Sequence, residues 1–173
     1  MKKSTQLKLF NFWPPFWGAG IQIDKISDDL LYAEVVLKER PWNKNLNGTH
    51  YGGSIFSMTD PFFATMLKEN LGSDYIVWDK AASIRFKKPG KGTLRAIYQM
   101  TLEQIEEVKA IADTQDKAEP EFIALVKDQF GDVIAEVDKV VYVKRRDKMR
   151  DRSQKQAEPS AEALVDTTPL PPS

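Results

Sequence analysis

A chain of 173 residues and 19.7 kDa holds one domain of ordinary size and a tail, which excludes a multidomain machine. Hydrophobic types at 42% and charged types at 29% lie near the globular average, so wholesale disorder and fibrous repeats do not fit. A formal net charge of +0 disfavours general nucleic-acid binding, while zero Cys and one His exclude disulfide frameworks, thiolate zinc sites and Cys nucleophiles, so that no metal and no cofactor is expected.

At the N-terminus, residues 5–13 predict a short amphipathic helix, ended by Pro14 and Pro15, after which Gly18 and Gly20 release the chain into a strand. The uncharged run Leu9 to Ile23 spans 15 residues, short of the ~18 needed to cross a bilayer. Lys2, Lys3 and Lys8 ahead of it resemble a signal peptide only faintly. The paired prolines split the apolar stretch and no small-x-small cleavage site follows, so a cytoplasmic location is expected, which the lack of Cys also suits. The five aromatics from Phe10 to Trp17 cover part of the core, lid a groove, or touch a membrane surface.

Ile21 and Ile23 alternate with polar neighbours, and after a turn at Ser27, Asp28 and Asp29 the same period of two runs through Leu31, Ala33, Val35 and Leu37. A polar loop, Pro41 to Gly53, precedes a dense apolar stretch from Ser54 to Leu71 that predicts one long buried helix, stopped at Gly72. Ile76 to Phe86 and Leu94 to Met100 read as strands around a turn at Pro89, Gly90 and Gly92. Leu102, Ile105, Val108 and Ala112 mark a surface helix, and Phe122–Lys127 with Val133–Val143 form a hairpin around Asp128–Asp132. Lys144 to Arg152 carries six basic and two acidic residues, a solvated boundary or an anion contact, and the stretch beyond it has no aromatic and cannot fix itself.

Strands that follow one another without crossover helices make an antiparallel sheet, and a helix apolar around most of its girth must be enclosed. The sheet therefore curls around the helix. The expected fold is α+β, a hotdog arrangement of a curved antiparallel sheet wrapped on a long central helix. The expected organisation is residues 1–20 as an aromatic helix and lid, 21–146 as the hotdog domain, and 147–173 as a disordered tail.

Chemistry concentrates between Asn43 and Pro61. Gly52 and Gly53 at a helix mouth leave backbone N–H groups for an oxyanion, or merely supply a tight turn. Asp60 lies about two turns further on, among Ile55, Phe56, Met58, Phe62 and Phe63. Burial there would raise its pKa and make it a base or nucleophile; alternatively Thr59-Asp60-Pro61 restarts a helix, with Asp60 as its cap and Pro61 in the first position. His50 is the only imidazole, a general base or a turn-bonding group. No Gly-x-Ser-x-Gly elbow occurs.

The runs Phe12-Trp13-Pro14-Pro15-Phe16-Trp17-Gly18-Ala19-Gly20-Ile21, Trp42-Asn43-Lys44-Asn45, Gly48-Thr49-His50-Tyr51-Gly52-Gly53-Ser54 and Met58-Thr59-Asp60-Pro61-Phe62 resemble an uncharacterised family of hotdog-fold proteins. That family is described as candidate thioesterases and is similar to the phenylacetyl-CoA-type acyl-CoA thioesterases. The resemblance spans roughly residues 5–146. It implies an acyl-CoA or related thioester substrate, a homodimer or homotetramer, and a site between subunits. It also implies Asp60 as the attacking or water-activating acid, an N–H of Gly52 or Gly53 as oxyanion donor, and Asn45 as a group that places water or substrate. Tyr51 stands where relatives carry His, with His50 displaced by one. Trp78, Asp79 and Lys80 fall where a partner subunit lends a polar group, Trp78 narrowing the acyl pocket. Arg85, Lys87 and Lys88 either meet the phosphates of coenzyme A or form an ordinary solvated strand end. The alternative function is a non-catalytic hotdog domain that holds an acyl or aromatic ligand. Hydratase action fits worse, because Asn45 presents an amide, which is no base.

Overall fold

The alternating stretches become six strands: β1 (Ile21–Ile26), β2 (Tyr32–Leu37), β3 (Tyr75–Phe86), β4 (Leu94–Gln99), β5 (Glu121–Lys127) and β6 (Val133–Arg145). They form one antiparallel sheet in the order β1-β2-β4-β5-β6-β3, so β1 and the twelve-residue β3 are its edges. The computed structural model describes residues 3–148, and the tail expected beyond them lies outside the described residues.

Period two decides which side chains enter the core. Along β6, Ala135, Val137, Val141 and Val143 are buried, and they join Val35 and Leu37 of β2 and Leu94, Ala96 and Tyr98 of β4 in one cluster. Against this face lie α3 (Gly52–Ser57) and α4 (Phe62–Leu71), with Ile55, Phe62, Phe63, Met66 and Leu67 buried. The curved sheet wrapped on the helical segment is the hotdog fold. Naming the others in chain order, α1 is Lys3–Lys8, α2 is Pro14–Ala19 and α5 is Leu102–Thr114. A reciprocal box caps α5: Gln104 N–H donates to Thr101 Oγ1 and Thr101 N–H to Gln104 Oε1.

Three expectations need correction. The single helix from Ser54 to Leu71 is two, because Pro61 has no N–H to give the preceding turn and its ring crowds that turn's carbonyl. Pro14 does end the helical stretch before it, Trp13 being extended, but Pro14 and Pro15 also begin α2, where the first positions need no intrahelical N–H. Gly18 lies inside α2, and Gly20, at φ 82, closes it; a Cβ there would meet Asn43 Nδ2 at 2.7 Å and Lys38 O at 2.8 Å. Lys144 is not part of a solvated boundary: its ammonium is buried and lies 2.6 Å from Asp116.

Candidate active site

Asp60 sits at the break between α3 and α4, a short irregular stretch held from two sides. The buried Tyr98 hydroxyl of β4 donates to Met58 O at 2.9 Å, and Thr59 Oγ1 donates to Phe56 O at 2.7 Å. Burial, with Asp60 as a lesser cause, pushes the Tyr98 phenol well above its ordinary range, so it stays a donor.

Two expectations for Asp60 are overturned. It does not cap α4: Pro61 occupies that position and no side chain caps the helix. Nor is it enclosed, its side chain being 60% exposed, because the break takes residue 60 off the apolar face of either helix. Its carboxylate instead meets a buried cation. Lys139 of β6 is 2% exposed, and its Nζ lies 3.1 Å from Asp60 Oδ1 and 3.1 Å from Asp79 Oδ2 of β3. Two carboxylates thus share one ammonium, and Asp79 Oδ1 is buried with no hydrogen-bond partner among the described residues. Burial, and then the adjoining Asp60, raise the Asp79 pKa above its ordinary value, while Lys139 pulls against them. The cluster opens on a cavity of about 430 Å³ whose apolar walls include Trp13, Pro15, Phe16 and Phe56.

Lys139 was not singled out by sequence, although a signal existed. The inward series Ala135, Val137, Val141 and Val143 runs straight through position 139, so a lysine there faces the core. A buried ammonium needs carboxylates.

The glycine mouth is a second place. Gly52 lines another cavity of about 430 Å³ with Asn45, His50, Phe86, Lys87 and Lys88. Within one chain Asp60 and Gly52 therefore line different cavities, and Gly53 lines neither. Aromatic rings close on both glycines: a Cβ on Gly53 would lie 2.3 Å from the Tyr51 ring, and one on Gly52 3.0 Å from the Phe86 ring, so a side chain at either position would displace a ring. Tyr51 itself is exposed. His50 is buried, its Nε2 at 2.7 Å from Gly92 O and its Nδ1 without a partner among the described residues. Asn45 is spent on its own loop, donating to Thr49 Oγ1 and His50 O and accepting from the N–H groups of Asn47 and Thr49.

Of the remaining candidates, Trp78 lines neither cavity and stacks on Tyr142 at 4.6 Å, whereas Asp79 and Lys80 line the acid's cavity. Arg85 is forked between Glu136 and Asp138, Lys88 lies 2.9 Å from Asp132, and Lys87 lies 3.9 Å from Glu136. Each basic group already has an acid. Among the described residues no group of His, Cys, Asp and Glu could hold a metal ion, and no helix is long and apolar enough to cross a membrane.

Comparison with solved structures places this architecture. The chain is similar to a protein of unknown function from Pseudomonas aeruginosa, described as a probable thioesterase, with 20% identity and a TM-score of 0.73 over 84% of this chain and 99% of that one. It is similar to a thioesterase of Haemophilus influenzae, at 11% identity and a TM-score of 0.62 over 84% and 92% of the two chains. It is also similar to the PaaI protein of the E. coli phenylacetic acid degradation operon, at 18% identity and a TM-score of 0.56 over 83% and 94%. At such identities the shared property is the fold. No curated protein sequence matches the chain significantly. Residues 2–143 match the model of the family described as a domain of unknown function, DUF4442, and the chain belongs to that family.

Proposed function

We propose that the protein hydrolyses an acyl-CoA or related thioester, in a site completed by a second copy of the chain. The observation that carries this is the gathering of Asp60, Asp79 and Lys139 at the floor of an aromatic-walled cavity. Asp60 takes a proton from water as the water oxygen bonds to the thioester carbon, or attacks that carbon itself, water then cleaving the acyl–Asp60 anhydride to free the acid; on either route the C–S bond breaks and the sulfur leaves as a thiol once protonated. The leaving sulfur takes the proton that Asp60 drew from water, or one from solvent, while Asp79, its pKa raised by burial and by Asp60, adjoins the acting carboxylate. Lys139 fixes both carboxylates in place.

Because Gly52 and Asp60 line separate cavities of one chain, a single carbonyl meets both only when a second copy brings its helix mouth to the acid. The unpaired long edge of β3 runs beside both, with Asp79 to Ala82 at one cavity and Phe86 at the other, and offers the surface for that pairing. The first-turn amides of Gly52 or Gly53 then receive the developing oxyanion. Lys87 and Lys88, beside Gly52, lie where coenzyme A phosphates would approach.

The test is thiol release from a panel of acyl-CoA esters by wild type and Asp60→Asn, with sedimentation velocity for the assembly. A dimer or larger, turnover by the wild type, and a loss of about 10²- to 10⁴-fold in the variant are expected. No turnover of any thioester, or equal rates in a folded variant, rejects the role. A second reading, an acyl-binding domain without turnover, is favoured by one observation: Asp60 is already ion-paired to Lys139. It predicts ligand retained in native mass spectrometry and no thiol released.

A further inference from the structure

The N-terminal segment presents two unlike faces. Inward, Phe16 is buried and packs on Phe62 at 6.0 Å between ring centres, tying the segment to the core. Outward, Phe12, Trp17 and Trp42 are 81%, 70% and 64% exposed and line one groove of about 390 Å³ with Lys38 and Arg40. Aromatic rings able to join a core but held together in water mark a surface that something covers.

These rings do not hang on a loop free to fold them in. Trp42 Nε1–H donates to Gly18 O at 3.1 Å, which fastens its indole to α2. Behind it the buried Asn43 donates to Ala19 O at 2.8 Å and to Lys38 O at 2.9 Å, in the tight fit that only a glycine at position 20 allows. The frame therefore presents the indoles outward by construction.

Charge says what the surface meets. Lys38 and Arg40 of the groove, like Lys8 of α1 outside it, are exposed and have no ion-pair partner among the described residues. Glu39, the carboxylate between two of them, is already occupied by Lys44 and by the N–H of Gly92. The patch is thus aromatic and carries uncompensated positive charge, in a chain whose formal total is +0.

We propose that this face docks on an anionic phospholipid bilayer. Indoles settle at the boundary between headgroups and acyl chains, with the ring body in the apolar layer and the polar edge toward water. Unpaired lysine and arginine beside them meet lipid phosphates, their stems lying along the apolar surface. Docking here is independent of the thioester reading, since no atom of the Asp60 cluster takes part.

The full chain is mixed with vesicles of phosphatidylcholine alone, or of phosphatidylcholine with phosphatidylglycerol, and floated on a density gradient. Wild type is expected to rise with the mixed vesicles, to be released by salt, and to shift its tryptophan emission to the blue. Trp17→Ala with Trp42→Ala, and separately Lys38→Glu with Arg40→Glu, are each expected to weaken binding by about tenfold or more. The charge-reversed pair guards against misfolding, because neither side chain reaches the core, and far-UV circular dichroism verifies both variants. Wild type that stays down with both vesicles, or binds both equally, overturns the proposal. So does either variant floating like wild type. A change of oligomeric state in the tryptophan variant, without vesicle binding by wild type, assigns the face to a second copy of the chain and overturns it equally.

Discussion

The cavity at Asp60 and the cavity at Gly52 have similar volumes and opposite characters. The first holds charge that does not balance: two carboxylates on one buried ammonium, with an oxygen of Asp79 that has no hydrogen-bond partner among the described residues. The second is fitted around backbone, with the Phe86 ring against Gly52 and the backbone of Gly90 against Leu94, Ile134 and Ile55, while the lysines at its rim each face an acid. One place is loaded electrostatically and the other sterically. Under the proposed function, chemistry that needs a carboxylate and a bare amide together draws on both, and so calls for a second copy of the chain.

Removing the buried cation breaks the first cavity most severely. Lys139→Met leaves two adjacent carboxylates with no counter-charge, so a loss of about 3 kcal/mol at neutral pH is expected in urea unfolding. That loss shrinks in acid, where the carboxyl groups are neutral. A loss that does not vary with pH would mean that Lys139 contributes through its stem alone. The second cavity breaks by volume. Gly90→Ala puts a methyl 2.8 Å from Leu94 Cδ1 and 3.2 Å from Ile134 Cγ2, and about 1–2 kcal/mol of destabilisation is expected, independent of pH.

Titration sharpens the contrast further. The folded-state pKa of Asp79 is raised above 3.8, so the folded chain binds more protons than the unfolded one in the window from 3.8 up to the raised value. Linkage then makes stability fall as pH rises through that window. The variant Asp79→Asn lacks this slope, so its stability relative to wild type should climb with pH in paired urea melts. Parallel curves would show that Asp79 has an ordinary pKa. At the small end, Arg85→Gln removes an exposed fork to Glu136 and Asp138, and no measurable change in the melting midpoint is expected.

Much of this molecule could be read along the chain, and particular residues show why. The alternation through Val35, Leu37, Ala135 and Val137 survives folding because a pleated strand puts every second side chain on one face whatever its partner is. The box at Thr101 and Gln104 is equally local. Prolines were harder. Pro14 begins a helix and Pro61 divides one, and the same residue type does either according to what packs around it. At the site, Asp60 and the paired glycines stood out because each is an unusual type in an apolar neighbourhood. Lys139 did not, since its partners lie 79 residues away at Asp60 and on a different strand at Asp79.

What the amino-acid order determined by itself was the set of strands, the curved sheet enclosing an apolar helical segment, and a short list of polar residues near Asp60, while the helix boundaries at Pro14 and Pro61 were left to the fold. Those follow from periodicity and local backbone chemistry, which act over a few residues. Only the tertiary structure decided that Asp60 points out of the core, that Asp79 and Lys139 join it, and that Gly52 faces a different hollow. Such pairings depend on strand register and on the turn at a chain break, quantities that no short window of sequence contains.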